Sequence, residues 1–173
     1  DDFSAARNFG LDHSDGDWNL ILDADEMLRV CSRKALEERI SRLSDRYGQA
    51  WMGAITRYDS YLDGDGTSVS TSLIPRFLPK GIRYSGIIHE QPDTGIPCYP
   101  LYLEADHDGY INRDKGERNL PYLEKAVNMY PEDVYYRFQM AATLRNMKRL
   151  EDSLDWFRGF YEMVPPQAGY RTE

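Results

Sequence analysis

An apolar run that ends in three acids places the tightest constraint on how this chain can fold. Residues 20–28 read LILDADEML, and Asp23, Asp25 and Glu26 crowd together where the hydrophobic stretch stops. Apolar runs of this length belong to a buried strand or a short buried helix. Carboxylates at the end of such a run are expensive to desolvate unless something neutralises them. The nature of that counter-charge decides what the site can do.

The chain has material for a core around this point. Its 173 residues, 41% of them hydrophobic, suffice for one medium domain, or one domain with an appendage. Twenty-nine acids against twenty-one bases give a formal net charge of −8, which argues against nucleic acid or an anionic membrane surface as the main partner. Cys31 and Cys98 lie far apart and form no metal or disulfide pattern, so a reduced, cytoplasmic location is expected, the alternative being a secreted protein with few cysteines. No apolar segment approaches the roughly 20 residues needed to span a bilayer. The chain opens on Asp1-Asp2-Phe3-Ser4 without Met or a secretory signal, and is expected to be the interior of a longer sequence.

Two textures follow one another. Up to about Tyr110, strand-like and helical runs alternate. Ser4 is placed to cap a short helix over residues 5–9, closed by the turn HSDGD. Residues 18–23 read as a buried strand. Ser32 is placed to cap a helix, KALEERISRLS, with Leu36, Ile40 and Leu43 on one face. Residues 51–58 and 71–78 read as strands joined around Asp63-Gly-Asp-Gly66, a hairpin turn that lacks the spacing of a calcium loop. Residues 83–89 and 99–105 complete the strand-like part, so the expected class is α/β with a mixed sheet.

From about Arg113 the texture is helical, in three amphipathic stretches: ERNLPYLEKAVNMY, EDVYYRFQMAATLRNMK and RLEDSLDWFRGFYEMV. Pro131 and Pro165 punctuate them 34 residues apart, the period of a tetratricopeptide repeat. Ala141 and Ala142 offer close packing, while Tyr135, Phe138, Leu144, Leu154 and Phe157 are expected to form the apolar faces. So short an array cannot stand alone and must lean on the first domain, on itself or on a partner. The expected division is 1–112 and 113–173.

If the LDADE segment is extended, residues two apart project to the same side, so Asp23 and Asp25 would face one way. Two carboxylates on one side call for a hard cation such as Mn²⁺ or Mg²⁺, which leaves coordination sites open for a phosphate-bearing ligand. The plainer alternative is a helix cap or a solvated acidic turn.

Four motifs in order give this segment context. SAARN (4–8) with GDW (16–18), LDADE (22–26), RYSGIIHEQ (83–91) and HDGY (107–110) closely resemble family-2 glycosyltransferases of the GT-A fold. The branch most resembled carries tetratricopeptide-like helices after its catalytic domain. The family begins with a strand-helix-strand unit that binds the nucleotide base, which this chain lacks, so the resemblance implies a partial GT-A sheet and an inactive fragment.

The resemblance also implies residue roles. Asp25 would ligate the metal with His107, and Asp23 would contact the metal or the ribose of a nucleotide-sugar donor. Arg7 would add positive charge for the donor's phosphates, or else be an ordinary surface arginine. Glu90 would be the base that deprotonates the acceptor hydroxyl, giving inversion at the anomeric carbon. Its alternative is a salt-bridged strand-end carboxylate; the family often has an aspartate one position later, where this chain has Gln91. His89 would orient Glu90 or touch the acceptor, which could be a glycan, a lipid-linked molecule or a protein. Two other readings stand beside this one. The helical segment could be a tetratricopeptide-type interaction module binding a protein partner, or the acids could serve another metal-dependent phosphate enzyme, such as a nucleotidyltransferase or hydrolase.

Overall fold

The structure, a computed structural model, describes residues 2–63, 66–108 and 115–164. In chain order its elements are α1 (Phe3–Asp12), β1 (Trp18–Leu20), β2 (Glu26–Leu28), α2 (Arg33–Tyr47), β3 (Met52–Asp63), β4 (Gly66–Pro79), β5 (Tyr84–Ser85), β6 (Gln91–Pro92), β7 (Cys98–His107), α3 (Lys115–Met129), α4 (Val134–Asn146) and α5 (Leu150–Met163). They divide into a sheet unit, Arg7–Tyr84 with Pro92–Arg113, and a helical unit of Asp1–Ala6, Ser85–Gln91 and Asp114–Glu173. The mixed α/β class holds, with the five-stranded sheet built before the three later helices.

In the sheet unit the strand order is β1-β4-β3-β7-β2. Among the described residues only the β3–β7 pair of this sheet is parallel; its neighbours β4 and β2 run antiparallel to β3 and β7 respectively. The β3–β4 hairpin is longer than its apolar residues suggested, because serines and threonines continue the ladder out to the Asp63–Gly66 pair. Residues 64 and 65 of the expected turn lie outside the described residues.

Helix α2 starts where expected, with the Ala35 amide donating to Ser32 Oγ at 3.3 Å, and stops at Gly48, whose φ of +61° suits a residue without Cβ. Its Leu36, Ile40 and Leu43 pack with Trp51, Ile55, Leu101 and Leu103 into one core. Trp18 stacks on Phe77 at 4.9 Å against the same core. Gly53 is needed there: a Cβ would stand 2.9 Å from Phe77 Cβ and collide with the buried Leu101 side chain.

Three expectations are corrected. The strand expected over 18–23 is the three-residue β1, part-buried to exposed; the Ile21 amide still donates to the Arg76 carbonyl at 2.8 Å before the chain turns at residues 24–25. Only Tyr84–Ser85 of the strand expected over 83–89 is extended, since Gly86 (φ +107°) and His89 (φ +52°) bend the backbone away. Helix α1 is capped by Asp2, whose Oδ1 accepts from the Ala5 amide at 3.1 Å, while Ser4 Oγ donates to the same oxygen.

The helical unit gathers Leu123, Ala126 and Val127 of α3, Tyr136, Met140 and Leu144 of α4, and Ile88 into one core, with Phe3 against it. Helices α4 and α5 approach closely at small residues, where Ser153 Oγ donates to the Ala141 carbonyl at 2.8 Å. Leu154, expected to be buried, is 50% exposed. The buried positions of α5 are Ser153 and Phe160, which lie about 100° or more round the helix from Leu154. Pro165 lies outside the described residues.

The burial pattern predicts opposite outcomes for two leucines in this unit. Leu123→Ala should cost about 2–5 kcal/mol through transfer and cavity terms, since Leu123 is wholly buried. Leu154→Ala should stay within about 0.5 kcal/mol. Urea unfolding of both variants checks this, and equal losses would refute the burial pattern of α5.

Candidate functional site

The LDADE segment is a turn, which alters what its acids can share. The Glu26 amide donates to the Asp23 carbonyl at 3.0 Å, and Glu26 Oε2 accepts from the Asp23 amide at 3.0 Å. This side-chain-to-backbone closure leaves residues 23–26 folded rather than extended, so Asp23 and Asp25 are not directed together as in a strand. They reach different partners.

Asp23 lies between two guanidiniums. Arg7 Nη2 approaches Oδ1 at 2.7 Å and Arg76 Nη2 approaches Oδ2 at 2.6 Å. Burial alone would push the Asp23 carboxyl up, but Arg76 and Arg7 together hold it below its ordinary value of 3.8. Arg7 also lies over the Tyr84 ring, 5.2 Å from its centroid. Arg76 comes from an irregularity in the hairpin: Gly53 pairs with Phe77 and Ala54 with Pro75, so Arg76 is the extra residue of a bulge. Bulges re-aim side chains in this way. The same Nη2 contacts Glu26 Oε1 at 2.6 Å, and Arg57 Nη1 lies 3.2 Å from that oxygen.

Asp25 is brought to His107, whose Nε2 lies 3.4 Å from Asp25 Oδ2. On its other side, His107 Nδ1 lies 2.6 Å from Asp59 Oδ1. Asp59 is held in turn by Arg57 Nε at 2.8 Å and by the Ser72 hydroxyl at 2.8 Å. Sheet register sets this line up, for β7 places His107 directly opposite Asp59 of β3 and Glu26 of β2. Both Asp59 and His107 are buried. The cluster therefore sets the guanidiniums of Arg7, Arg57 and Arg76 against the carboxylates of Asp23, Asp25, Glu26 and Asp59.

Of the sequence-predicted residues, Arg7, Asp23, Asp25 and His107 thus fall in the sheet unit, while His89 and Glu90 lie on the Ser85–Gln91 segment of the helical unit. Burial, with a smaller push from Arg118, lowers the His89 imidazole below its ordinary 6.5 against the opposing pull of Glu90. His89 Nε2 is buried without a hydrogen-bond partner among the described residues. Gly109 and Tyr110 of the HDGY motif lie outside those residues. Sequence reading missed Arg57, Asp59 and Arg76. Their signal was charge inside strand-like runs, in TRYDS and IPRF.

Asp25 Oδ2 and His107 Nε2, 3.4 Å apart, stand near the separation of about 3 Å between neighbouring ligands on a six-coordinate ion with bonds of about 2.1 Å. Among the described residues, no group of three His, Cys, Asp or Glu is arranged to hold an ion. Two protein donors leave the remaining positions to ligand or water. No helix among the described residues is long and apolar enough to cross a membrane.

The fold and cluster define a mixed α/β protein with a buried ionic site and a helical segment. No protein-family model matches the chain. It is 28% identical over 190 aligned residues to a TPR repeat-containing protein of Synechococcus elongatus, an alignment covering 100% of this chain and 45% of that protein. It is also 23% identical over 168 residues to the SPbeta prophage-derived glycosyltransferase SunS of Bacillus subtilis, covering 91% of this chain and 38% of the relative. Glycosyltransferase SunS of Bacillus phage SPbeta matches to the same degree. The chain spans less than half the length of these curated relatives.

Two measurements test the ionic cluster. Arg76→Met removes a buried partner of Glu26, whose side chain is 0% exposed, and should cost about 3 kcal/mol in chemical denaturation. A loss below about 0.5 kcal/mol would mean that Arg57 alone satisfies Glu26. Because the folded Asp23 carboxyl titrates below its ordinary 3.8, its stabilisation is present above that value and disappears as pH falls through the lowered one. Asp23→Asn should therefore be less stable than wild type at pH 7, with the gap closing as pH falls below the ordinary 3.8. A gap independent of pH would refute the charge assignment.

Proposed function

We propose that the sheet unit carries the metal and diphosphate side of an inverting, nucleotide-sugar-dependent glycosyltransferase. One observation carries this reading: the line Asp59–His107–Asp25. Asp59 as a carboxylate only accepts, so the 2.6 Å contact assigns a hydrogen to His107 Nδ1 and turns Nε2 toward Asp25. A neutral imidazole would then point a lone pair at a carboxylate oxygen 3.4 Å away. That pairing is repulsive unless a proton or a cation lies between the two groups. The distant likeness to a glycosyltransferase supports the cation.

In this reading Asp25 and His107 would hold Mn²⁺ or Mg²⁺. Such an ion, when bound, neutralises a departing diphosphate as a Lewis acid. Asp59 fixes the tautomer and orientation of His107, the usual service of a carboxylate behind a metal-binding histidine. Asp23 orders Arg7, and Arg7 meets the negative charge of the donor's phosphates. Glu90 takes the proton from the acceptor hydroxyl, and His89, kept neutral by burial, orients that carboxylate or the acceptor. The acceptor is to be sought among glycans, lipid-linked molecules and proteins.

A second reading has its own support. The likeness to a TPR repeat-containing protein, with Leu150, Leu154 and Tyr161 exposed on α5, favours a protein-interaction module without catalysis.

Metal titration separates the two. Mn²⁺ added to the chain, alone and with inorganic pyrophosphate, is followed by the paramagnetic signal of the free ion. Wild type should bind, Asp25→Ala and His107→Ala should lose binding, and Asp59→Asn should weaken it by about 10–100-fold. Equal binding by wild type and His107→Ala would remove the metal from this site and leave the interaction module.

A further inference from the structure

The segment that carries His89 and Glu90 is built into the core of the helical unit. Ile88, 3% exposed, packs among Leu123, Ala126, Val127, Tyr136, Met140 and Leu144. The Ile87 carbonyl accepts from the Phe3 amide at 3.1 Å. Tyr136, near the start of α4, belongs to the same core. Its hydroxyl stands 2.8 Å from where a Cβ on Gly86 would sit, so only glycine fits that approach, at a φ of +107°.

The next tyrosine takes hold one turn of chain further along. Tyr135 OH donates to the His89 carbonyl at 3.2 Å. Gln91 Nε2 donates to Tyr135 OH at 3.0 Å and to the same His89 carbonyl at 3.3 Å. His89 itself has φ +52°, a left-handed conformation that a histidine adopts at some cost. Such residues persist where their surroundings over-determine them, and they cluster at working sites. Burial pushes the Tyr135 phenol up, so it stays a protonated donor across the neutral range.

We infer that α4 is a clamp for the 86–90 bend, in which Tyr135 and Gln91 lock the His89 carbonyl and so fix the direction in which Glu90 projects. Tyr135 is then a positioning residue for the proton-accepting carboxylate, and the helical segment serves the chemistry as well as any partner. The functional half of this statement rests on the glycosyltransferase reading above; the clamp itself does not.

Two readouts keep those halves apart. The first is amide hydrogen exchange at residues 87–90 in the chain as it stands. Tyr135→Phe, which keeps the ring, should speed exchange there by about three- to tenfold, the equilibrium factor of one hydrogen bond. Gln91→Leu, an exposed change that spares the core, should act in the same direction, and Tyr161→Phe on α5 should leave these amides as they were. Unchanged exchange in both Tyr135→Phe and Gln91→Leu overturns the clamp. The second readout is transfer by the full-length protein. Tyr135→Phe should lower kcat and leave KM for the donor unchanged, while Glu90→Gln should lose about 10²–10⁴-fold in kcat. A general loss of fold would move both constants. Full turnover by Glu90→Gln would end the base assignment, and the exchange data would still decide the clamp.

Discussion

Arg76 reaches two acids with one nitrogen from a bulge in the hairpin, where Gly53 and Ala54 pair with the residues on either side of it. Of the carboxylates at the end of LILDADEML, Glu26 is buried and Asp23 and Asp25 are half-buried, and a buried carboxylate without a counter-ion is far less stable than one in water. Arg76 supplies the counter-ion from the neighbouring hairpin. It thereby ties the 23–26 turn to β4, and Arg57 ties the same Glu26 to β3. Ion pairs as buried as these are seldom a net gain over a well-packed apolar replacement. Their use here is to hold the Asp23, Glu26 and Asp59 carboxylates at fixed positions.

Much of the fold could be read from local pattern. The three late helices and α2 announce themselves through 3.6-residue periodicity and a serine cap. The hairpin does so through two apolar runs around a glycine-rich turn. What local pattern missed was tertiary in origin. The LDADE acids looked like a strand end, and only the closure of Glu26 on the Asp23 amide shows why the chain turns there. Leu154 looked like a core residue because α5 is apolar on more than one side, and helix packing chose Ser153 instead.

The site was legible in part for a similar reason. Asp23, Asp25 and His107 carry motif signals, and all three do lie in the ionic cluster. Asp59, Arg57 and Arg76 carry none, because a charged residue in a strand reads as solvent-facing until its register is known. The pairing of β3 with β7 turns Asp59 into the partner of His107. That pairing is parallel and joins segments far apart in sequence, so no short window contains it.

The helical unit is assembled from three separate stretches of chain, and its core stays open until Phe3 and Ile88 arrive. Contacts of such long sequence separation are slow to form, because loop closure precedes any gain from burial. During synthesis the residues around Ile88 would emerge well before the helices that cover them. The α3–α5 segment is thus no exchangeable cassette: a graft of these helices onto another protein would carry a vacancy where Ile88 belongs, and a chain stripped of them would expose it.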